Sequence, residues 1–199
     1  MLALLLAGCG GGGSGDARPQ APGSSAKAAA SFEGALLPAG LPAHDFALRD
    51  QDGRWVSLRA FRGRVALLAF LSSTSRPSLL IGEQLRGALD ELALERGRPA
   101  VPALAVSVDP AGDTPTRVRA YLRATSLSGR LEYLTGSPAR LRSVWHAYRV
   151  LPASAGERAY EQAAFVLLID RAGSPRVEIP LEGLTPEVLA RDVRRLEAL

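Results

Sequence analysis

The stretch FRGRVALLAFLSSTSRPS, residues Phe61–Ser78, carries a continuous apolar run directly into a turn of hydroxyl side chains. Val65–Leu71 has the length of a strand and contains no polar residue, which is the pattern of a strand covered on both faces. Beyond the turn, apolar residues recur at helical spacing, which predicts a helix of about four turns over Leu79–Glu95. The spaced residues are Ile81, Leu85, Ala88, Leu89 and Leu92. A buried strand that leads into a helix is therefore the centre of the predicted fold.

The segments after this helix repeat the alternation of strand and helix. Ala103–Val108 is predicted to be a second buried strand. Three later helices are predicted where a hydroxyl residue precedes proline, because the hydroxyl caps the helix N-terminus and proline suits the first turn. The three pairs are Thr114-Pro115, Ser137-Pro138 and Thr185-Pro186.

Two hairpins complete the predicted fold. Asp52-Gly53 marks a tight turn between Phe46–Leu48 and Trp55–Leu58. Ala164–Asp170 and Arg176–Ile179 are the strands of a second hairpin, which precedes the last helix. The alternation predicts an α/β protein with parallel strands. The closing antiparallel hairpin and helix favour a thioredoxin-like fold, with a central mixed sheet flanked by helices and an N-terminal β-hairpin.

Composition excludes some classes of partner. The chain is 47% hydrophobic and 22% charged, as is ordinary for a globular domain. Its net charge is only +4, and the basic residues alternate with acidic ones along the helices. Nucleic-acid binding requires a concentrated basic stripe, so we expect no nucleic-acid partner.

The N-terminal segment MLALLLAGCGGGG is predicted to be a lipoprotein leader. Leu6-Ala7-Gly8-Cys9 resembles the bacterial lipobox, in which signal peptidase cuts before a cysteine whose thiol is diacylated. We therefore expect residues 1–8 to be a signal peptide, Cys9 to be lipidated, and residues 9–31 to form a flexible Gly/Ser/Pro/Ala tether to a domain at 32–199. The leader lacks a basic n-region, which a start codon assigned too late would explain. The alternative is a chance cysteine after a few leucines and alanines.

This leader predicts a location in the bacterial cell envelope. The lipid on Cys9 would hold the domain at the inner or outer membrane, facing the periplasm. Gly10 after the cysteine favours sorting to the outer membrane. No later segment approaches 18 unbroken apolar residues, so none is predicted to span a bilayer.

Four ordered blocks of sequence resemble the SCO/SenC family, whose members are thioredoxin-fold copper-binding proteins that help to assemble the dinuclear copper centre of cytochrome c oxidase. The blocks are Phe46–Phe61 (FALRDQDGRWVSLRAF), Ser107–Pro115 (SVDPAGDTP), Tyr133–Val150 (YLTGSPARLRSVWHAYRV) and Ala164–Asp170 (AFVLLID). Together they span nearly the whole domain. The second block carries the motif residues Ser107, Val108, Asp109, Pro110, Asp113, Thr114 and Pro115.

The resemblance also implies where a copper site would lie. The family binds copper with a Cys-x-x-x-Cys turn after the third strand and a histidine before the AFVLLID-like strand, a soft ligand set that suits this metal. The first cysteine corresponds to Thr74 or Ser75, and the second to Ser78 or Leu79. The histidine corresponds to Gln162. All three ligands are absent, so we expect no copper cofactor.

The rest of the chain offers few substitutes for these ligands. Cys9 is the single cysteine and Met1 the single methionine, so the domain has no soft sulfur ligand. His44 precedes the first predicted strand, and we interpret it as an exposed polar residue. His146 lies near the end of the helix predicted from Ser137, where an imidazolium suits the helix dipole. We therefore expect no metal site within one chain.

The hydroxyls of the turn are interpreted as helix caps, and the chain is not expected to be an enzyme. Serine becomes nucleophilic only beside a base, and no histidine lies near this cluster in sequence. Asp109 and Asp113 are expected to cap and turn their own loop. The cluster comprises Ser72, Ser73, Thr74, Ser75 and Ser78.

These observations predict a membrane-tethered, non-catalytic accessory in cytochrome c oxidase assembly or copper handling that has lost its own copper site. Its expected partners are the membrane, through Cys9, and respiratory oxidase subunits or an intact SCO-like paralogue. One alternative is copper delivery with ligands supplied by a partner. Another is a thiol oxidoreductase or peroxidase, which the lack of a thiol disfavours.

Overall fold

The structure is a computed structural model that describes residues 32–41 and 44–199. The predicted signal peptide, Cys9 and the tether lie outside the described residues. The strands are β1 (Ala35–Leu36), β2 (Ala47–Arg49), β3 (Trp55–Ser57), β4 (Ala66–Leu71), β5 (Ala103–Ser107), β6 (Glu132–Leu134), β7 (Phe165–Ile169) and β8 (Pro175–Pro180). The helices are α1 (Arg76–Ala93), α2 (Pro115–Ala124), α3 (Pro138–Tyr148), α4 (Glu157–Gln162) and α5 (Pro186–Glu197).

Six of the strands form a mixed sheet in the order β1-β8-β7-β4-β5-β6. β4, β5 and β6 are parallel, whereas β7 is antiparallel to both β4 and β8. β2 and β3 form a separate hairpin, which two hydrogen bonds between the backbones of Arg49 and Thr135 join to the chain beyond β6. The predicted α/β class, mixed sheet and N-terminal hairpin are confirmed.

The apolar run that predicted the central strand is fully buried. Every residue of β4 is buried, because β5 and β7 flank the strand and helices cover both faces of the sheet. Ile81, Leu85 and Leu92 of α1 are almost inaccessible to solvent, as their helical spacing predicted. Burial of each such side chain contributes about 1.5–3 kcal/mol to the stability of the domain.

The three hydroxyl–proline pairs start helices as predicted. The side chains of Thr114, Ser137 and Thr185 accept backbone N–H groups at 3.4, 3.4 and 3.2 Å. The start predicted for the first helix was wrong, because α1 begins at Arg76 and its cap is Ser75. This helix has 18 residues, or about five turns, whereas about four turns were predicted. The turn of hydroxyls is therefore shorter than the sequence indicated: of its five residues, Ser78 lies in the helix and Ser75 caps it.

The last helix fixes the beginning of the domain. Asp192 of α5 is fully buried and accepts the backbone N–H groups of Glu33 and Gly34 at 2.9–3.1 Å. β1, which the sequence did not predict, follows directly and pairs with β8. Across the described ranges, no helix has both the length and the apolar character needed to cross a bilayer.

Candidate functional site

A chain of hydroxyl groups lies where β4 ends and α1 begins. The Oγ atom of Ser78 accepts the backbone N–H of Ser72 at 2.9 Å and the hydroxyl of Ser75 at 2.8 Å. The Ser78 hydroxyl donates its own proton to the Tyr160 hydroxyl oxygen, 3.0 Å away. Tyr160 in turn donates to the backbone carbonyl of Phe70 at 2.5 Å. We call Ser75, Ser78 and Tyr160 the hydroxyl relay.

The relay joins α1 to α4 and, through the Phe70 carbonyl, to β4. Ser75 caps α1, Ser78 lies in its first turn, and Tyr160 reaches in from α4. Ser78 is fully buried and Tyr160 is 2% exposed, so these bonds are shielded from water. Burial raises the pKa of Tyr160 to about 12, and the phenol therefore stays protonated and able to donate at neutral pH.

A buried carboxylate lies beside the relay. Asp113 accepts the backbone N–H of Ser73 at 2.7 Å, the Ser107 hydroxyl at 2.5 Å and the Tyr133 hydroxyl at 2.9 Å. Burial raises the pKa of this carboxyl above its ordinary value, and the hydrogen bonds from Ser107, Ser73 and Tyr133 oppose that shift. The expectation that Asp113 caps its own loop was wrong, because its carboxyl points inward and ties that loop to the turn after β4.

The other residues of the Ser107–Pro115 block hold the loop in shape. Asp109 does what was expected of it, since its carboxylate accepts the Gly112 N–H at 2.9 Å. The backbone N–H of Val108 donates to the Leu71 carbonyl at 2.9 Å. The indole N–H of Trp145 donates to the Ser107 carbonyl at 2.8 Å. The block thus links the ends of β4 and β5 to α3.

The relay opens on a small depression of about 260 Å³. Its lining residues are Ser72, Thr74, Ser75, Asp109, Ala153 and Tyr160. The atoms that could contact a ligand there are hydroxyl and carboxylate oxygens. Such hard oxygen donors suit ions such as magnesium or calcium better than copper. Within the described ranges, no cluster of three His, Cys, Asp or Glu side chains could hold a metal ion.

Comparison with known proteins decides which family this arrangement belongs to. A family model described as SCO1/SenC matches residues 38–198. The chain belongs to the SCO1/SenC family. A curated relative, the mitochondrial protein SCO2 homolog of Bos taurus, is 35% identical over 118 residues, which are 58% of this chain and 43% of that protein. The chain spans less than half the length of the curated relatives that it matches.

Solved SCO structures share the fold. Bradyrhizobium japonicum ScoI with copper bound is 28% identical, with a TM-score of 0.57 over 77% of this chain and 98% of that one. A SCO1/SenC family lipoprotein from Bacillus anthracis is 18% identical, with a TM-score of 0.66 over 80% of this chain and 97% of that one. The thioredoxin-like fold and the family predicted from the sequence are confirmed.

The structure brings together some of the positions assigned to the SCO1/SenC ligands. Thr74, Ser75 and Ser78 lie in or beside the hydroxyl relay, whereas the Leu79 side chain is 40% exposed. Gln162 is exposed at the end of α4. It lines a second depression with Arg158, Glu161, Ala164, Pro180, Leu181 and Glu182. The correspondence of these positions to the family's ligands stays a prediction.

The tyrosines are the site residues that the sequence reasoning missed. Tyr160 reaches the turn from α4, where Gln162 was expected to mark the site. Tyr133 contacts both Asp113 and the Leu71 carbonyl, and Tyr121 donates to the Ser78 carbonyl at 2.7 Å. The sequence around each tyrosine did not indicate this role, because the hydrogen-bond partners lie in distant segments of the chain. The two histidines are exposed, His44 before β2 and His146 on α3.

Proposed function

We propose that this chain is a non-catalytic SCO1/SenC protein that supports copper handling or cytochrome c oxidase assembly without a copper site of its own. The observation that carries the proposal is the hydroxyl relay. At the turn where the family resemblance implies thiolate ligands, Ser75, Ser78 and Tyr160 hydrogen-bond to one another and to the backbone. The use of their polar atoms in hydrogen bonds within the fold supports a role without a bound metal.

The chemistry of the turn supports this proposal. Copper in this family is held by soft thiolates and an imidazole, and an alcohol oxygen is a poor replacement at neutral pH. Deprotonation of Tyr160 would supply a charged oxygen, but burial holds its pKa near 12. Bradyrhizobium japonicum ScoI binds copper. The proposed role differs from that of ScoI in acting through the protein surface.

Copper reconstitution tests the proposal directly. The purified chain is incubated with Cu(I) or Cu(II), passed over a chelating resin and assayed for metal, and we expect far less than one copper per chain. Two variants restore the family ligands in the two registers: Thr74→Cys/Ser78→Cys/Gln162→His and Ser75→Cys/Leu79→Cys/Gln162→His. We expect one of them to retain about one copper per chain. Retention of one copper per chain by the wild-type protein would overturn the proposal.

We further propose that Cys9 tethers the protein to a membrane of the cell envelope. The lipobox-like Leu6–Cys9 supports this, and a Bacillus anthracis member of the family is a lipoprotein. In a bacterial host, the full chain is expected in the detergent phase of a Triton X-114 separation, and Cys9→Ser in the aqueous phase. Equal partitioning of the two proteins would contradict the tether without bearing on the copper proposal.

A further inference from the structure

The β2–β3 hairpin and the start of α3 enclose a cleft built around one exposed indole. Trp55 is 53% exposed, although a side chain of this size is usually covered. The guanidinium carbon of Arg49 lies 4.6 Å from its ring centroid, and that of Arg140 lies 4.9 Å away. The cleft has a volume of about 280 Å³. We call it the Arg–Trp cleft, and its lining is Leu48, Arg49, Trp55, Thr135, Gly136, Ser137 and Arg140.

The two arginines of this cleft differ from a neighbouring arginine in their charge partners. Arg54, on the same hairpin, pairs with Asp50, Asp52 and Glu132. Among the described residues, no acidic side chain forms a salt bridge with Arg49 or Arg140. Arg140 also lies in the first turn of α3, where the helix dipole is positive and no acidic residue is present. Two guanidinium groups and a helix N-terminus therefore concentrate positive charge around one aromatic ring.

The guanidinium groups are held in place without being neutralised. Arg49 donates to the Gly53 carbonyl at 2.6 Å, and this bond fixes the side chain on the hairpin. Stacking on Trp55 orients both planar groups, which lowers the entropy cost of binding an anion. Arginine so oriented recognises carboxylates through two parallel hydrogen bonds. The exposed part of the Trp55 ring adds an apolar surface for the methylene groups of a glutamate side chain.

We propose that the Arg–Trp cleft binds an acidic segment of a partner protein, with carboxylates on Arg49 and Arg140 and aliphatic carbons on Trp55. The surroundings favour a peptide over an anionic bilayer. The cleft is concave, and Asp52 and Glu132 stand close by around Arg54. A flat anionic surface would meet these acids as well, whereas a single side chain can enter the cleft that Arg49 and Arg140 line. The inference does not depend on whether the chain binds copper.

Peptide binding to the purified chain tests the proposal. The probe is hexaglutamate, and hexalysine is the control peptide. Trp55 serves as the reporter, because the other tryptophan, Trp145, is buried and hydrogen-bonded. We expect saturable quenching by hexaglutamate that weakens as salt is added. Arg49→Gln and Arg140→Gln should each weaken binding about tenfold, since each removes a bidentate contact.

A matched variant separates the cleft from net charge. Arg142 is exposed on the same helix, two residues beyond Arg140, and does not line the cleft. Arg142→Gln removes the same charge and should leave the affinity for hexaglutamate within about twofold of wild type. An equal loss in Arg142→Gln and Arg140→Gln would overturn the proposal. So would an absence of saturable hexaglutamate binding, or Arg49-dependent binding to phosphatidylglycerol vesicles with none to the peptide.

Discussion

Removal of one hydroxyl group, in Tyr160→Phe, should measurably destabilise the domain. The register between β4 and β7 ends at the pair Ala69–Val166, and the Tyr160 hydroxyl supplies a donor to the next carbonyl along β4, that of Phe70. The same hydroxyl accepts from Ser78. Phenylalanine keeps the ring in place but leaves a buried carbonyl without this donor and a buried serine proton without its acceptor.

The size of the loss follows from burial. Tyr160 is 2% exposed and Ser78 is fully buried, so little water reaches the groups that would lose their hydrogen bonds. An unsatisfied buried polar group costs about 1–3 kcal/mol, and part of this cost is relieved if Ser78 rotates its proton elsewhere. We therefore expect the free energy of unfolding to fall by about 2 kcal/mol. For a domain of this size, the melting temperature should fall by about 4–8 °C.

Urea denaturation followed by tryptophan fluorescence gives the free energy of unfolding, and calorimetry gives the melting temperature. Tyr148→Phe is the matched control. The Tyr148 hydroxyl also donates to a backbone carbonyl, that of His44 at 3.0 Å, but this bond lies at the surface. The control should lose less than about 1 kcal/mol. A Tyr160→Phe variant no less stable than Tyr148→Phe would refute the reasoning that the relay stabilises the fold.

Three further predictions concern Asp113, Asp192 and thiol chemistry. Because burial raises the pKa of Asp113, ionisation of this carboxyl opposes folding. The stability advantage of wild type over Asp113→Asn should therefore be greatest below about pH 4 and shrink as the pH rises. Urea titrations from pH 4 to 8 that show the opposite trend would count against this. Asp192→Ala leaves the Glu33 and Gly34 N–H groups without their acceptor, so the free energy of unfolding should fall by about 1–3 kcal/mol and proteolysis near β1 should be faster. The control Asp52→Ala, at an exposed position, should lower the free energy of unfolding by less than about 0.5 kcal/mol. The purified chain should neither consume peroxide nor reduce insulin disulfides, and a rate above buffer would revive the oxidoreductase alternative.

The main features of the fold were predictable because they depend on local pattern. An apolar run of strand length becomes a buried strand almost regardless of its partners, and Ala66–Leu71 of the predicted Val65–Leu71 did so. A hydroxyl followed by proline starts a helix through contacts with its own next turn, as at Ser137 and Thr185. The strand β1 escaped prediction because its two residues pair with β8 at the far end of the sequence.

The candidate site was less predictable because it is made of contacts between distant segments. Ser78 and Tyr160 lie 82 residues apart in the chain, and Ser73 and Asp113 lie 40 apart. An aspartate in a turn usually caps that turn, and nothing in the sequence around Asp113 distinguishes an inward carboxylate from a capping one. The family resemblance located the turn, yet it gave no information on the tyrosines that contact it.

The relay bears on what the proposed loss of metal ligands would mean for this protein. In the family pattern, copper would connect the turn after β4 to the segment before β7. Here the hydrogen bond between Ser78 and Tyr160 connects the same two segments, and Tyr160 continues the connection to β4. Ser78 has three hydrogen-bond partners in this turn, whereas the buried Ser73 hydroxyl has none among the described residues. Ser78 and Tyr160 therefore link α1 to α4 by a direct hydrogen bond, which under the proposed function would take the place of the bridge that copper makes in the family pattern.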